Sequence, residues 1–378
     1  LSEKLNYILM NPSLNFYYPS IEKGGLEKNV FSLINSLAEK KYQINFYTYE
    51  DNTNSKEYKR KFYFHKNINV ITAKFIPGIN NRYIKYIFCF ISLFVGLFYK
   101  KGIIVSFQGN VLPIIVAKIM NRKIIIRCNT APSKYIDSKL KKFFFKFFYS
   151  LSDLILVTTK DFKKEIKKYF NLNSKVHRQS LNIEDIKQKS KIKMNFSFFK
   201  KFSGLKIINI GRLTFQKDQM TLLKAFAKLL KFKKAKLLIL GSGNDESKLN
   251  DFIKKKDLDK YVKIIPYASN PFKYIALSDV KVLTSRFEGS PNILLETACL
   301  KKLIISSNCK VGPSEILQAG EGGILFKVGQ YNQLFLILKK LNLQSIENKN
   351  KVKKTYKFIK KNYQKDIAVT FINLMREI

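Results

Sequence analysis

The sequence predicts an α/β protein of two domains, each built on a parallel β-sheet with helices on both faces. Short runs rich in isoleucine and valine alternate with longer segments of helical period, which is typical of parallel sheets. The chain has 378 residues, more than one hydrophobic core usually organises, so two domains are expected. A polar stretch at 186–201, rich in lysine, serine and asparagine, interrupts the alternation and is interpreted as a linker.

The first half of the chain contains six predicted strands. The apolar run at 5–10 predicts the first of them, and a loop through Gly24 and Gly25 follows. One face of a helix is then marked by Leu26, Val30, Leu33, Ile34 and Leu37. The five further strands are predicted at Ile44–Thr48, Ile68–Thr72, 103–107, 123–127 and 154–158.

The longest apolar run lies at 86–99, between Lys85 and Lys100. Its 14 residues are fewer than the roughly 20 that a helix needs to cross a bilayer. The run is open to two interpretations, a buried core helix or a helix that lies on a membrane surface.

After the polar stretch the alternation resumes. Strands are predicted at Leu205–Ile210, Ala235–Leu240, 262–266, 280–284, 303–306 and 323–326. Two such series predict two Rossmann-like domains that face a cleft, the first over 1–188 and the second over 203–361. A final helix at about 362–378 is expected to pack back onto the first domain.

The composition restricts the class of protein. Lysine and arginine number 70 against 27 aspartates and glutamates, a formal net charge of +43, and such a charge attracts nucleic acid, lipid headgroups or phosphorylated substrates. With 46% hydrophobic residues, general disorder is excluded. Four widely spaced cysteines and two histidines do not form a zinc-site pattern. Without an evident secretion signal, they indicate a reducing cytosol.

The segment 285–300, SRFEGSPNILLETACL, directly follows a predicted strand and therefore lies where open α/β sheets bind ligands. Ser290 is a suitable N-cap and Pro291 a suitable first helical residue. The backbone N–H groups of Asn292 and Ile293 would then form an anion site at the start of a helix.

Two carboxylates belong to the same segment. Glu288 precedes the predicted helix and Glu296 lies about two turns into it. A carboxylate accepts two hydrogen bonds well, so each suits a vicinal diol of a sugar or ribose. Two unrelated surface acids would give the same spacing.

Two other segments carry groups suited to phosphate. Arg212 and Lys217 follow the predicted strand Leu205–Ile210 and can converge on a phosphate, unless they are simply solvated cations. Gly24 and Gly25 open a helix and allow the backbone to approach a phosphate closely, although glycine pairs are common in loops.

Together these segments resemble the retaining glycosyltransferases of family 4, which have the two-domain GT-B fold. The matching positions are Glu288 and Glu296 for the E-x7-E motif, Arg212 and Lys217 for Gly-Arg followed five residues later by Lys, and Gly24 and Gly25 for the N-terminal double glycine. The resemblance covers nearly the whole chain and is strongest over 205–326. Segments 241–249 and 306–317 are also similar, the latter to members that build bacterial surface polysaccharides and glycans on lipid carriers.

The resemblance implies transfer of a hexose or N-acetylhexosamine from a nucleotide sugar, expected to be a UDP-sugar, to a glycan acceptor, expected to be lipid-linked. Glu296 would bind the ribose and Glu288 the hydroxyls of the transferred sugar. Arg212 and Lys217 would neutralise the departing diphosphate, with the backbone amides of Gly25, Asn292 and Ile293 assisting. Because such cations and amides stabilise charge on the leaving oxygen, neither a metal nor another cofactor is expected.

The chain departs from the family in its first domain. Many members carry a histidine after a strand like 123–127, whereas this region reads RCNTAPSKYI and neither histidine is near it in the sequence. Arg127 or Asn129 is the candidate replacement. The single Asp-x-Asp, at 257–259, lies among lysines and is interpreted as solvated surface rather than a metal site.

Two alternatives stay open. A basic nucleic-acid-binding protein would explain the charge and basic aromatic segments such as 139–149, although no nucleic-acid partner is expected. A sugar-nucleotide epimerase would share the GT-B fold. A dinucleotide enzyme does not fit, since Glu246 stands where G-x-G-x-x-G needs its third glycine, and the chain has no P-loop motif.

The first domain is expected to dock on an anionic membrane surface, peripherally and at the inner face of the cytoplasmic membrane. The segment 139–149, KLKKFFFKFFY, mixes lysines with aromatic residues, and at helical spacing part of that aromatic set must face away from any core. Five lysines over 160–168 extend the basic character. In the opposing interpretation the aromatics are core and the lysines merely solvated.

Overall fold

A computed structural model of the chain describes residues 13–21, 25–49, 64–73 and 81–378. The chain forms two compact units. The first unit contains the residues up to Ser180 together with Lys365–Ile378, and the second contains Leu181–Gln364.

The first unit is built on a parallel sheet with the strand order β3-β2-β1-β4-β5-β6-β7. Its strands are β1 Leu14–Tyr17, β2 Ile44–Thr48, β3 Ile68–Thr72, β4 Ile103–Ser106, β5 Ile124–Arg127, β6 Leu154–Val157 and β7 Lys175–Val176. Its helices are α1 Gly25–Glu39, α2 Arg82–Tyr99, α3 Val111–Ile119, α4 Lys139–Ser150 and α5 Lys160–Phe170. A short 3₁₀ turn covers Pro132–Lys134.

The second unit is also built on a parallel sheet, with the order β10-β9-β8-β11-β12-β13. Its strands are β8 Leu205–Ile210, β9 Ala235–Leu240, β10 Val262–Ile265, β11 Val280–Leu283, β12 Leu303–Ser307 and β13 Ile324–Phe326. Its helices are α6 Ile183–Ser190, α7 Gln219–Leu229, α8 Glu246–Lys255, α9 Phe272–Leu277, α10 Asn292–Cys299, α11 Pro313–Ile316, α12 Tyr331–Lys340 and α13 Ile346–Tyr363, with a 3₁₀ turn at Gln318–Gly320. The prediction of parallel α/β sheets is confirmed.

The first described strand differs from the prediction. The strand predicted at 5–10 lies outside the described residues, and β1 occupies a stretch that the sequence analysis leaves as loop. Pro12 and Pro19 enclose β1 and obscure its strand pattern. All four residues of β1 are buried, because it lies between β2 and β4 with helices on both faces.

The stretch at 186–201 is not a free linker. Its first residues belong to α6, and Phe199 is buried in the core of the second unit with Ile183 and Ile186. The lysines of this stretch are mostly exposed, which explains its polar composition.

The last helix, α14 at Ile367–Met375, belongs to the first unit. Its buried residues Ile367, Phe371 and Met375 join the core that also contains residues of α1 and the sheet. Ion pairs anchor both ends, Lys40 to Asp366 at 2.8 Å and Lys175 to Glu377 at 2.7 Å.

Candidate functional site

The strand order of the second unit creates a crevice at the carboxyl ends of β8 and β11. These two strands are neighbours in the sheet, but the chain leaves β8 towards β9 on the opposite side. Loops that leave two such strands diverge, and open α/β sheets bind ligands at this point. The segment 211–218, which contains Arg212 and Lys217, and the start of the segment 285–300 are loops of this crevice.

An ion pair between a half-buried lysine and a buried glutamate joins the two loops. The Lys217 Nζ lies 2.5 Å from the Glu288 Oε1, and the Ser285 Oγ donates to the same oxygen at 2.6 Å. The Thr284 Oγ1 donates to the Lys217 carbonyl oxygen at 2.9 Å. Glu288 is only 9% exposed, so its carboxylate is fixed in position. Both contacts end on Oε1, which leaves Oε2 as the oxygen suited to accept from a ligand hydroxyl.

Further contacts hold the loops together. The Arg286 Nη2 lies 3.1 Å from the Asp218 Oδ2, and the backbone N–H of Arg286 donates to the Gln216 carbonyl oxygen at 2.8 Å. Asp218 has a φ of +46° and caps α7, accepting from the Thr221 hydroxyl at 2.9 Å. Neither Asp218 nor Arg286 is predicted from the sequence as a site residue; the Asp-x-x-Thr pattern before an apolar helix is the available signal for the cap.

Arg212 lies in the same loop as Lys217, and its side chain is exposed. The Gln219 Nε2 donates to the Arg212 carbonyl oxygen at 3.0 Å and so fixes the backbone at this point. An exposed guanidinium on a fixed backbone can reach an anionic ligand without first losing a protein partner.

The glycines of Gly241-Ser242-Gly243 have a packing role. Gly241 and Gly243 have φ values of +155° and +157°, and a Cβ on them would collide with the backbone carbonyl oxygens of Gly211 and Leu213. The two loops therefore approach closely because glycine stands at both positions. This contact explains the pair without a dinucleotide cofactor.

Helix α10 begins one residue later than predicted. Pro291 occupies the N-cap position and offers no side-chain cap, so Ser290 is not the N-cap and Pro291 is not the first helical residue. Asn292 and Ile293 are the first two helical residues, whose N–H groups have no acceptor within the helix. Glu296 is buried and lies about one turn into the helix rather than two.

A lysine is buried beneath the ion pair. Lys281 lies on β11 with no exposed surface, and its Nζ is 3.5 Å from the Ile210 carbonyl oxygen. Burial, reinforced by the nearby charge of Lys217, lowers the pKa of Lys281 well below its ordinary value, while Glu296 and Glu288 oppose the shift. The sequence signal was a lysine inside an otherwise apolar strand, VKVL, of a parallel sheet.

The glycine pair lies in the first unit. Gly25 is the first residue of α1, while Gly24 lies outside the described residues. The candidate replacements for the family histidine lie at the end of β5. The Asn129 Nδ2 donates to the Phe107 carbonyl oxygen at 2.7 Å, and Arg127 is fully buried over the Phe107 ring.

Arg127 has a histidine beside it after all. The Arg127 Nη1 donates to the His177 Nδ1 at 3.4 Å, and the His177 Nε2 donates to the Ile367 carbonyl oxygen at 3.1 Å. Burial, with the Arg127 charge, lowers the pKa of His177 to about 3, so the ring is neutral. The sequence could not reveal this pair, since 50 residues separate its members.

The two carboxylates of the Asp-x-Asp lie on the surface of the second unit. Asp257 and Asp259 are exposed, with Asp257 in a left-handed turn before β10. Across the described parts of the chain, no group of three or more histidine, cysteine, aspartate or glutamate residues could hold a metal ion.

Known proteins resemble this chain in sequence and in fold. Residues 191–362 match the family model of glycosyl transferases group 1. An uncharacterized glycosyltransferase of Methanocaldococcus jannaschii is 36% identical over 185 residues, which cover 48% of this chain and 46% of that protein. The alignment thus spans less than half of that relative's length.

A second relative is aligned over more of the chain. It is the N-acetylgalactosamine-N,N'-diacetylbacillosaminyl-diphospho-undecaprenol 4-alpha-N-acetylgalactosaminyltransferase of Campylobacter jejuni, 28% identical over 70% of this chain and 74% of that protein. Among solved structures, HepE of Anabaena in complex with UDP superposes with a TM-score of 0.76 at 14% identity, covering 97% of this chain and all of that one. At this identity the likeness shows the fold alone, which is GT-B.

Proposed function

We propose that this chain, whose residues 191–362 match the family model of glycosyl transferases group 1, is a retaining glycosyltransferase of bacterial polysaccharide or glycan biosynthesis. It transfers a hexose or N-acetylhexosamine from a UDP-sugar to a lipid-linked glycan acceptor. The observation that carries the proposal is the Lys217–Glu288 pair at the crevice where β8 and β11 diverge.

The pair suits the chemistry of a glycosyl phosphate. Breaking the bond between the sugar and the diphosphate builds negative charge on the leaving oxygen, and Lys217 and Arg212 supply the opposing charge. Because the carboxylate of Glu288 already holds Lys217, the cation is preorganised and needs no rearrangement when the bond breaks. The Oε2 of Glu288 is available for hydroxyls of the transferred sugar.

The nucleotide end of the donor is assigned to α10. The N–H groups of Asn292 and Ile293 suit a phosphate oxygen at the helix start. Glu296, buried one turn further along, suits the two ribose hydroxyls. Gly24 and Gly25 are assigned to the phosphates by the motif alone. None of these contacts uses a metal ion.

The acceptor is proposed from the Campylobacter relative, whose name specifies a glycan on diphospho-undecaprenol. A lipid-linked acceptor favours a peripheral enzyme at the inner face of the cytoplasmic membrane. Among the described helices, none combines the length and the apolar character that a membrane span requires.

A thermal-shift series over UDP-, GDP- and ADP-sugars tests the proposal. A UDP-sugar at saturating concentration should raise the melting temperature of the second unit, since a ligand that binds only the folded state stabilises it. Lys217→Ala should reduce the shift, whereas Lys224→Ala, an exposed lysine on α7, should keep it.

No shift with any nucleotide sugar would contradict the proposal. If a UDP-sugar binds and is converted to a sugar-nucleotide isomer without acceptor, the chain is an epimerase instead. Binding of nucleic acid in preference to every nucleotide sugar would indicate the non-enzymatic alternative.

A further inference from the structure

Helix α2 has an apolar stripe on its outward face. The stripe consists of Ile84, Ile87, Ile91, Val95 and Phe98, which are 39–63% exposed. These residues are three or four positions apart, so they lie on one side of the helix. Cys89, Leu93 and Leu97 on the opposite side are fully buried. The run at 86–99 is therefore neither a buried core helix nor a span: one side packs on the unit and the other has large apolar side chains in solvent.

A second apolar stripe lies on α4. It consists of Leu140, Phe143, Phe144 and Phe147, which are 44–78% exposed. Phe145 and Tyr149 point the other way, and their rings are 5.6 Å apart. Helix α3 contacts both α2 and α4, so the three helices form one layer of the first unit. Ile119, at the end of α3, is also exposed within this layer. Large apolar side chains exposed on the helices of one layer are typical of an interaction site.

The same layer is strongly basic. Residues 82–150 contain 13 lysines and arginines and one acid, Asp137. Asp137 pairs with Lys141 at 2.7 Å. Lys139, Lys142 and Lys146 of α4 are exposed beside its apolar stripe. The neighbouring α5 adds exposed lysines at 160, 163, 164, 167 and 168.

An anionic lipid surface is the occupant that fits both features. Apolar side chains flanked by lysines are the pattern of helices that lie in the membrane interface, because the lysine stems reach along the apolar layer to the headgroups. A second copy of this chain would bring two such basic layers together, and like charges would repel. Nucleic acid does not match an outward stripe of isoleucine and valine, since it uses cations and aromatic stacking.

We propose that the outward faces of α2 and α4 form one lipid-docking surface, with the α2 stripe inserted into the interface of an anionic leaflet and the α4 lysines on its headgroups. This proposal rests on the proposed membrane location, and it names the residues that would bind the membrane. The docking predicted from the sequence uses 139–149 and the lysines over 160–168, and the proposal adds the exposed apolar stripe of α2.

Flotation of the full chain with vesicles tests the surface. We expect binding to phosphatidylcholine vesicles that contain about 30% phosphatidylglycerol, and weaker binding as salt rises from about 50 to about 500 mM. The triple substitution Ile87→Ser, Ile91→Ser, Val95→Ser should reduce the partition coefficient by about tenfold or more, as should Lys142→Glu with Lys146→Glu. Two matched control variants lie in the second unit: the triple substitution Leu277→Ser, Leu336→Ser, Ile346→Ser and the double substitution Lys255→Glu, Lys256→Glu. All five positions are exposed, and both variants should bind like the wild type.

A tryptophan reporter gives a second measurement that does not depend on losing binding. The chain has no tryptophan, so Phe98→Trp introduces a single fluorophore into the α2 stripe. Its emission should shift to the blue on anionic vesicles and be quenched by brominated lipid. Phe232→Trp, at an exposed position of the second unit, should show neither effect.

Wild-type binding by the α2 triple variant, an unshifted Phe98→Trp, or equal binding to neutral vesicles would each overturn the proposal. Salt-independent dimers that the triple variant abolishes would assign the surface to a second copy. Donor binding measured without vesicles separates the two proposals: a chain that binds UDP-sugar but no vesicle contradicts only the docking surface, and the reverse contradicts only the enzyme.

Discussion

Glu288 and Glu296 differ in their surroundings although both are buried. Glu288 holds Lys217 and Ser285 in the crevice at the ends of β8 and β11, whereas Glu296 lies within α10. One carboxylate is thus coupled to the cation that would face the diphosphate, and the other is one helical turn away from the amides that would bind a phosphate. Different surroundings should give different kinetic effects.

Glu288→Ala should mainly lower kcat, because it removes the group that orders Lys217 at the reacting bond. Glu296→Ala should mainly raise the donor KM, because a ribose contact contributes equally to the ground and transition states. We expect changes of about 100-fold in kcat and about tenfold in KM. Steady-state kinetics with Glu321→Ala, an exposed acid of the same unit, as control would check this. Unchanged kinetics in both variants would remove these residues from the site.

The buried Lys281 lowers the unfolding free energy of the second unit at neutral pH. Its folded pKa is lowered, so between that lowered pKa and its ordinary pKa of about 10.4 the unfolded chain binds more protons than the folded chain, and stability rises with pH. Lys281→Met should therefore raise the unfolding free energy of the second unit by about 1–3 kcal/mol at pH 7. The difference from the wild type should shrink as pH rises from 7 to 9.

Urea denaturation at both pH values measures this effect. Lys263→Met, at an exposed position of β10, is the matched control and should be nearly neutral. A destabilised Lys281→Met would mean that the lysine is charged in the folded state and stabilises the two glutamates.

At the scale of elements, α14 returns the end of the chain to the first unit. His177, just after β7, connects α14 to β5 by donating to the Ile367 carbonyl oxygen and accepting from Arg127. The ring of His177 also packs against Phe371, with centroids 5.6 Å apart. A neutral histidine is needed here, because a protonated ring would face the Arg127 charge.

This contact should make the first unit sensitive to acid. The folded pKa of His177 is lowered to about 3 from an ordinary value of 6.5. Its contribution is therefore complete above pH 6.5 and is lost as pH falls towards 3, by up to about 1.4 kcal/mol per pH unit.

His177→Gln should flatten the fall in melting temperature between pH 7 and 5, since glutamine stays neutral. His65→Gln, at the other histidine, should leave the slope unchanged. Hydrogen exchange of the α14 amides at both pH values would locate the effect, and an identical slope in His177→Gln would contradict it.

At the scale of the whole molecule, the excess of 43 positive charges has several distinct uses. In the two proposals, Lys217 and Arg212 would bind a nucleotide sugar at the crevice of the second unit, and the lysines of α4 and α5 would bind an anionic lipid surface. These two ligands would account for part of the charge.

The proposed role of Lys217 and Arg212 predicts that sugar transfer does not need a metal ion. Activity should persist in excess EDTA, because protein cations and amides neutralise the diphosphate. Lys217→Ala should lose about 100-fold in kcat without rescue by manganese, whereas Lys224→Ala should not change it. Loss of activity in EDTA that manganese restores would count against the proposal.

The sequence by itself determined the fold class and most element positions. Parallel strands buried on both faces must be apolar runs, and β2, β3, β8 and β9 appear where those runs lie. Lys217, Glu288 and Glu296 were identifiable because they follow such strands. Motif spacing also pointed to a glycosyltransferase.

Only the tertiary structure decided which of these residues meet. The contact of Lys217 with Glu288 spans 71 positions, and that of His177 with Ile367 spans 190. The tertiary structure also shows that α2 buries one face and exposes the other. This orientation could not be predicted, because the sequence of α2 is apolar on nearly all sides. The hydrophobic pattern of a segment predicts its own helix or strand. The contacts between distant residues depend on the order of the strands in the sheet, which the sequences of the strands do not specify.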